Sequence, residues 1–364
     1  MLKKFLFVFI LVVFTSCVFS DKRSEDILRF DYTFEELRDS ALLPSWFLNP
    51  SPGKLVGSIG MARTVSVGGD PEYYSRKYAL DGILDYYGVK VDNDNQNYKD
   101  ILSGEKNTAI LGGRSFSIPN TLKSRDYIIT RAVSGTSGSF QKDSLSHNFS
   151  PYDCKPGWIC SPGSGELGGV LGVSYRATSP QRQYELAIEN GLLLLKYSYG
   201  VDVSGTEEIR RIRSGTGVLR LRKNALSVKM IDNKDRIRLY VKEIRYLGET
   251  IYLRLVSPDL PAFEEDNSWI YGDLKGGSIG QSGRTASNLL SYQIYNAVDK
   301  AVMSMAKNKE LGIEVVETLA KTSNSSFFDQ LIKSDVDTRV FPSLRGFYLD
   351  RNDRVMVWLM PNSL

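Results

Sequence analysis

Gly57-Ser58-Ile59-Gly60 recurs along the chain as Gly169-Val170-Leu171-Gly172 and again as Gly277-Ser278-Ile279-Gly280. The first two copies end 112 residues apart (172 minus 60) and the last two 108 apart (280 minus 172). A second signature trails each one: Gly88-Val89-Lys90-Val91, Gly200-Val201-Asp202-Val203 and Gly312-Ile313-Glu314-Val315. Self-similarity at a fixed period marks repeated structural units.

Between the two signatures each copy carries a helical pattern. In the first, Asp70 caps and Pro71 takes the first helical position, where its missing amide costs nothing. Ala79, Leu80, Ile83, Leu84 and Tyr87 then fall on one face, and Gly88 ends the helix. Ser179 and Pro180 repeat the start in the second copy, where Ala187, Leu194 and Tyr197 are apolar and Gly200 closes. In the third, Leu290, Ile294, Ala297, Val298, Ala301 and Met305 mark the buried stripe before Gly312. Each helix is expected to lead into a short strand.

Hairpins close the copies. Leu344 to Leu349 and Arg354 to Met360 flank the turn Asp350-Arg351-Asn352-Asp353, and Ile237, Leu239 and Val241 alternate ahead of Tyr246-Leu247-Gly248-Glu249 and a return from Ile251 to Val256. The first copy keeps only Tyr127 to Val133 clearly. The expected fold class is α+β: three tandem modules, 44–133, 164–260 and 268–361, each a small, mainly antiparallel sheet packed by one main amphipathic helix. Residues 134–163, rich in Ser, Gly and Pro, read as a linker or insertion holding Cys154 and Cys160.

The opening of the chain has a different character. Lys3 and Lys4 precede an apolar run from Phe5 to Phe14, and Thr15, Ser16 and Cys17 follow. This is the layout of an export signal over residues 1–16, since ten apolar residues fall short of the roughly 20 that span a bilayer. The segment resembles the lipobox of bacterial lipoproteins, with Phe14 where leucine is usual. That resemblance implies a diacylglycerol on Cys17 and a further acyl chain, palmitate or similar, on its amine. One acyl chain binds only marginally, whereas two or three hold stably. Residues 17–43, charged and with a short helix expected around Asp26 to Arg38, read as anchor and tether, and the folded part is expected from about Pro44.

Composition narrows the rest. The chain has 364 residues, 42% hydrophobic and 24% charged, with a formal charge of +4. Loss of Lys3 and Lys4 leaves 4 minus 2, or +2, which gives no reason to expect nucleic acid. With Cys17 acylated, Cys154 and Cys160 remain as one candidate disulfide in an oxidising compartment. One histidine in the chain, His147, argues against a zinc cage, and no cofactor is expected.

Pro44-Ser45-Trp46, Gly57 to Gly60, Ala79, Gly88 to Val91 and the closing Leu344 to Met360 together resemble a family of bacterial lipoproteins typified by a twenty-kilodalton membrane-associated antigen, which includes flagellar outer-membrane lipoproteins. The resemblance implies the fold and an envelope location, and brings no catalytic residues. This chain differs in carrying three copies and in the leucines of its middle helix.

Chemical motifs weigh little. Gly276 to Gly280 has the Gly-x-Ser-x-Gly form of a hydrolase elbow, but such a hydrolase needs a histidine after the serine, and His147 precedes it. Gly163-Ser164-Gly165-Glu166-Leu167-Gly168 matches Gly-x-Gly-x-x-Gly but precedes a strand pattern, where a dinucleotide site needs a helix. Cys154 with His147 could form a thiol and base, and the neighbouring Cys160 makes a disulfide simpler. Glu264-Glu265-Asp266 reads as a solvated loop. The densest basic stretch is Arg210, Arg211, Arg213, Arg220, Arg222 and Lys223, within which Leu219-Arg220-Leu221-Arg222 alternates like a half-buried strand. A solvated strand face is the plain reading, and contact with anionic headgroups or an acidic partner the functional one.

The function expected is that of a non-enzymatic envelope lipoprotein: membrane-bound through its lipid, structural or binding in role, and engaging an envelope protein or itself. Outer membrane is favoured over inner because Val18, not aspartate, follows the lipid-bearing cysteine, and the periplasmic face is favoured over the cell surface. An envelope hydrolase and a surface-exposed ligand-binding antigen are the alternatives.

Overall fold

Asp70 accepts a hydrogen bond from the Glu72 amide and Ser179 accepts one from the Arg182 amide, each followed at once by a proline in the first turn. Side-chain capping and a preset φ start both helices where the sequence places them. The computed structural model of the chain describes residues 25–65, 68–135, 149–214, 217–231, 238–272, 276–283, 289–309, 312–322 and 325–362, and for 207, 209, 211–224 and 312–334 the backbone alone. The segment 1–16, Cys17 and His147 lie outside the described residues.

In chain order the elements are β1 (Asp26–Arg29), α1 (Phe34–Asp39), α2 (Ser45–Leu48), β2 (Gly57–Arg63), α3 (Pro71–Tyr87), α4 (Gln96–Ser103), β3 (Thr108–Leu111), β4 (Arg114–Lys123) and β5 (Tyr127–Ser134). There follow β6 (Gly169–Ser174), α5 (Pro180–Tyr197), β7 (Val201–Ser214), β8 (Gly217–Met230), β9 (Tyr240–Leu247), β10 (Thr250–Val256) and β11 (Ser278–Ser282). The last are α6 (Leu290–Lys309), β12 (Gly312–Thr322), β13 (Ser325–Val340), β14 (Pro342–Leu349) and β15 (Val355–Pro361). The class is mixed α+β with several small, mainly antiparallel sheets. Two compact units result: residues 1–37 with 52–141, and residues 38–51 with 142–364.

In the first unit a five-stranded sheet runs β1-β4-β5-β2, with β3 on the side of β4 and β1 parallel to β4. Helix α3 covers it, burying Ala79, Leu80, Ile83 and Leu84, the face its periodicity marks. Its C-cap Gly88 has φ 62°, the left-handed conformation glycine adopts without a Cβ penalty.

Three expectations for this unit need correction. Asp26–Arg29 is a strand rather than the start of a helix, because its four residues align with Asn120–Lys123 in register. The fold also begins by Glu25, well ahead of Pro44: Glu25 is buried against Arg76, and Phe34 and Leu37 are buried, with Thr33 and Glu36 forming a reciprocal capping box at α1. Finally, Gly88 to Val91 forms no strand; Val89 and Val91 pack irregularly against the core.

The second unit holds two sheets of like order, β6-β10-β9 under α5 and β11-β15-β14 under α6, and a third sheet, β12-β13-β7-β8. Segment 38–51 belongs here: Trp46 and Phe47 are buried, Phe47 stacks on Tyr246, and the Ser51 hydroxyl donates to the Val241 carbonyl. Cys154 and Cys160 are joined, their Cα atoms 5.3 Å apart. The described part of the expected linker is packed rather than loose, with Trp158, Ile159 and Cys160 buried. The signatures at 200–203 and 312–315 open not short strands but β7 and β12, of 14 and 11 residues.

One contact recurs in all three helix-covered sheets. A methyl added at Gly60 would lie 2.1 Å from the Ser75 carbonyl oxygen, at Gly172 2.3 Å from that of Ala187, and at Gly280 1.8 Å from that of Ala297. Four residues on from those positions the helices again carry small residues, Ala79, Gly191 and Ala301. The repeated glycine is there because helix backbone lies directly against strand backbone.

Candidate interaction surface

Length alone sets the third sheet apart. At about 3.3 Å per residue, 14-residue strands reach roughly 45 Å. Helix α6 packs on one side of its base, where Val201, Val203, Val336 and Val340 are buried. Along β13 the alternation is clear, with Asp335, Asp337 and Arg339 exposed between Val336, Thr338 and Val340. Arg339 pairs with Asp202 at 2.7 Å on the open side.

All six basic residues singled out in the sequence lie on β7 and β8. The unbroken register sets Arg211 opposite Arg220, Ile209 opposite Arg222, Arg213 opposite Val218, Arg210 opposite Leu221 and Glu208 opposite Lys223. By the two-residue period of a strand, positions 211, 213, 220 and 222 are in step with Val201 and Val203. Positions 210, 219, 221 and 223 are in the alternate step of the same register. The basic stretch is therefore split between the two faces of one hairpin.

The other motifs carry no assembled chemistry. Ser278 is buried within β11 opposite Leu359, and no elbow places its hydroxyl at a surface. Gly163 to Gly168 leads directly into β6. The Ser164 hydroxyl donates to the Ser161 carbonyl at 2.7 Å. Beside it an open depression of about 670 Å³ is bounded by Trp158, Arg254, Phe263, Glu264 and Glu265. Arg254 is held there by the Ser164 carbonyl and, at 3.5 Å, by Glu243, while Arg345 lies 4.5 Å over the Phe263 ring. Arg254 is thus engaged with the protein, and Glu265 accepts from the Asn267 side chain at 2.9 Å.

The first unit holds a polar cluster that no sequence signal indicated. Arg76, 1% exposed, pairs with Glu25 and, at 3.6 Å, with Glu72, and donates to the Ile101 carbonyl at 3.2 Å. Glu25 also accepts from Thr121, and Thr130 joins Ser75 at 2.7 Å. Burial works to raise the Glu72 pKa, yet Lys123 and Arg76 outweigh it and hold the carboxyl below its ordinary value. Glu25 and Glu72 are thus matched by Arg76 and Lys123 in one ion-pair network beside α3.

Among the described residues no group of three or more His, Cys, Asp or Glu side chains could hold a metal ion, and no helix is long and apolar enough to cross a membrane. No family model, no curated protein and no solved structure matches the chain.

Proposed function

We propose that the chain is a lipid-anchored lipoprotein of the bacterial envelope, acting as a structural or binding protein rather than an enzyme. The observation that carries the reading is Cys17, set directly after a basic start, an apolar run and two small residues. Acylation there would hold the protein at a membrane, with the outer membrane and its periplasmic face favoured. The likeness to the twenty-kilodalton-antigen type of lipoprotein points the same way.

The body fits that role as three tandem modules, each a strand, a covering helix and a late antiparallel pair. The repeated glycine-to-helix contact at Gly60, Gly172 and Gly280 supports their equivalence. In the second and third modules the segment after the helix is drawn out into the hairpins of the long sheet, which offers binding area without new chemistry. The partner is an envelope protein or a second copy of this chain.

Detergent phase partition of cells expressing the full chain tests the reading. Wild type is expected in the detergent phase and Cys17→Ala in the aqueous phase. Equal partition of the two would overturn it. Turnover of a peptidoglycan or ester substrate that was lost on Ser278→Ala would favour the hydrolase alternative instead.

A further inference from the structure

The two long hairpins occupy equivalent places in the chain. β7 follows α5 and β8 returns toward β9, while β12 follows α6 and β13 returns toward β14. The sheet they build runs β12-β13-β7-β8, so its central junction sets a returning strand, β13, against an outgoing one, β7. That junction is antiparallel and continuous from Val340 opposite Val201 to Phe328 opposite Arg213. The two outer strands are consequently of opposite kind, β8 returning and β12 outgoing. Among the described residues β8 pairs only with β7, and β12 only with β13.

We propose that copies of this chain associate head to tail, β12 of one copy adding antiparallel to β8 of the next, so that the junction between β13 and β7 inside the chain is repeated between chains. Each edge is the kind of strand that the other kind already binds within the molecule. A long edge with no strand paired to its outer side is a template for an added strand, and among the described residues neither β8 nor β12 has a strand there. Charge favours the match: β8 carries Arg220, Arg222, Lys223 and Lys229 and no acidic residue, whereas β12 carries Glu314 and Glu317 against Lys321. Because the two joined surfaces differ, the contact does not close as a two-fold dimer but propagates into a ring or filament. This deepens the self-association arm of the proposed function and does not depend on the lipid.

Read through the cross-strand pairs, Ser227 shares a face with the even-numbered positions of β12. The full chain carrying Ser227→Cys is mixed with full chain carrying Glu314→Cys, Val316→Cys, Thr318→Cys or Ala320→Cys and mildly oxidised. Val315→Cys, on the opposite face, is the control. Disulfide-linked mixed dimers are expected from one or two neighbouring even positions and not from the control, and a ladder of larger species is expected when both cysteines sit in one chain. Absence of mixed dimers at every β12 position, self-linkage of Ser227→Cys alone, or linkage in cells only to a different protein would overturn the proposal. Repeating each pair in the Cys17→Ala chain separates the two claims: crosslinking that survives there leaves self-association standing even if the lipid anchor fails.

Discussion

A methyl group at Gly280 would sit 1.8 Å from the carbonyl oxygen of Ala297, inside any permitted contact. Strand β11 and helix α6 touch backbone to backbone at that point, and neither can yield without losing its hydrogen bonds. Gly280→Ala is therefore expected to destabilise the fold by about 1–3 kcal/mol or more, the cost of overpacking a closed site. Gly60→Ala and Gly172→Ala should behave alike. Gly283→Ala, with nothing within 4 Å of the added carbon, should be close to neutral. Thermal denaturation of the four variants checks the series, and a Gly283→Ala loss as large as that of Gly280→Ala would contradict it.

Arg76 and Glu25 form an ion pair whose side chains are 2% and 7% exposed. Removing one partner leaves a buried charge without compensation, so Glu25→Gln or Arg76→Met should each cost about 3–5 kcal/mol. Replacing both by apolar residues, Glu25→Leu with Arg76→Met, should cost less than the two single changes added together. Urea unfolding of the two singles and the double measures the coupling, and additive losses would show that the pair does not act as a unit.

Asp299 accepts a 2.7 Å hydrogen bond from the Tyr197 hydroxyl. Burial raises its pKa above the ordinary value of 3.8, outweighing that hydrogen bond, which lowers it. An acid that holds its proton more tightly when folded stabilises the fold fully only below its unfolded pKa. That contribution is lost as pH rises through the folded value. Asp299→Asn keeps an acceptor for Tyr197 without the buried charge. It should be more stable than wild type at neutral pH, with the advantage fading as pH falls toward 3.8. Chemical denaturation of both proteins across that range checks the sign.

Cys154 and Cys160 are six residues apart in sequence, and their disulfide closes a small loop. Loop-closure entropy for so short a ring is worth about 2 kcal/mol. The double variant Cys154→Ala with Cys160→Ala should lose about that much stability, and reducing agent should lower the wild type by a similar amount and leave the variant unmoved. Melting with and without reductant measures both.

Local chemistry made part of this fold readable. Asp70-Pro71 and Ser179-Pro180 name their helix starts by capping and a preset φ, and Gly88 names an end. The buried stripes Ala79 to Leu84 and Ile294 to Met305 follow from the helical period. The hairpin turns at Gly248 and at Asp350 to Asp353 were equally legible, since each lies between short alternating strands.

What stayed hidden depends on contacts distant in sequence. β4 carries Pro119 in its middle, a residue that argues against a strand, and the sheet accommodates it by a register shift between Ser117 and Asn120. β1 exists because Asp26–Arg29 finds β4 some 90 residues on, and no local pattern announces that partner. The same holds for Glu25 and Arg76, each an ordinary charged residue until the fold encloses them. The basic stretch was visible as a run, but its division between two faces required the register of β7 on β8.

The central claim, that Cys17 fixes the protein to a membrane of the envelope, is tested most directly by metabolic labelling with a palmitate analogue in cells making wild type or Cys17→Ala. The wild-type chain should take up label and, once its signal is removed, run about 16 residues shorter than its precursor, while Cys17→Ala should take up none. Equal labelling of the two proteins, or none in either, would contradict the account.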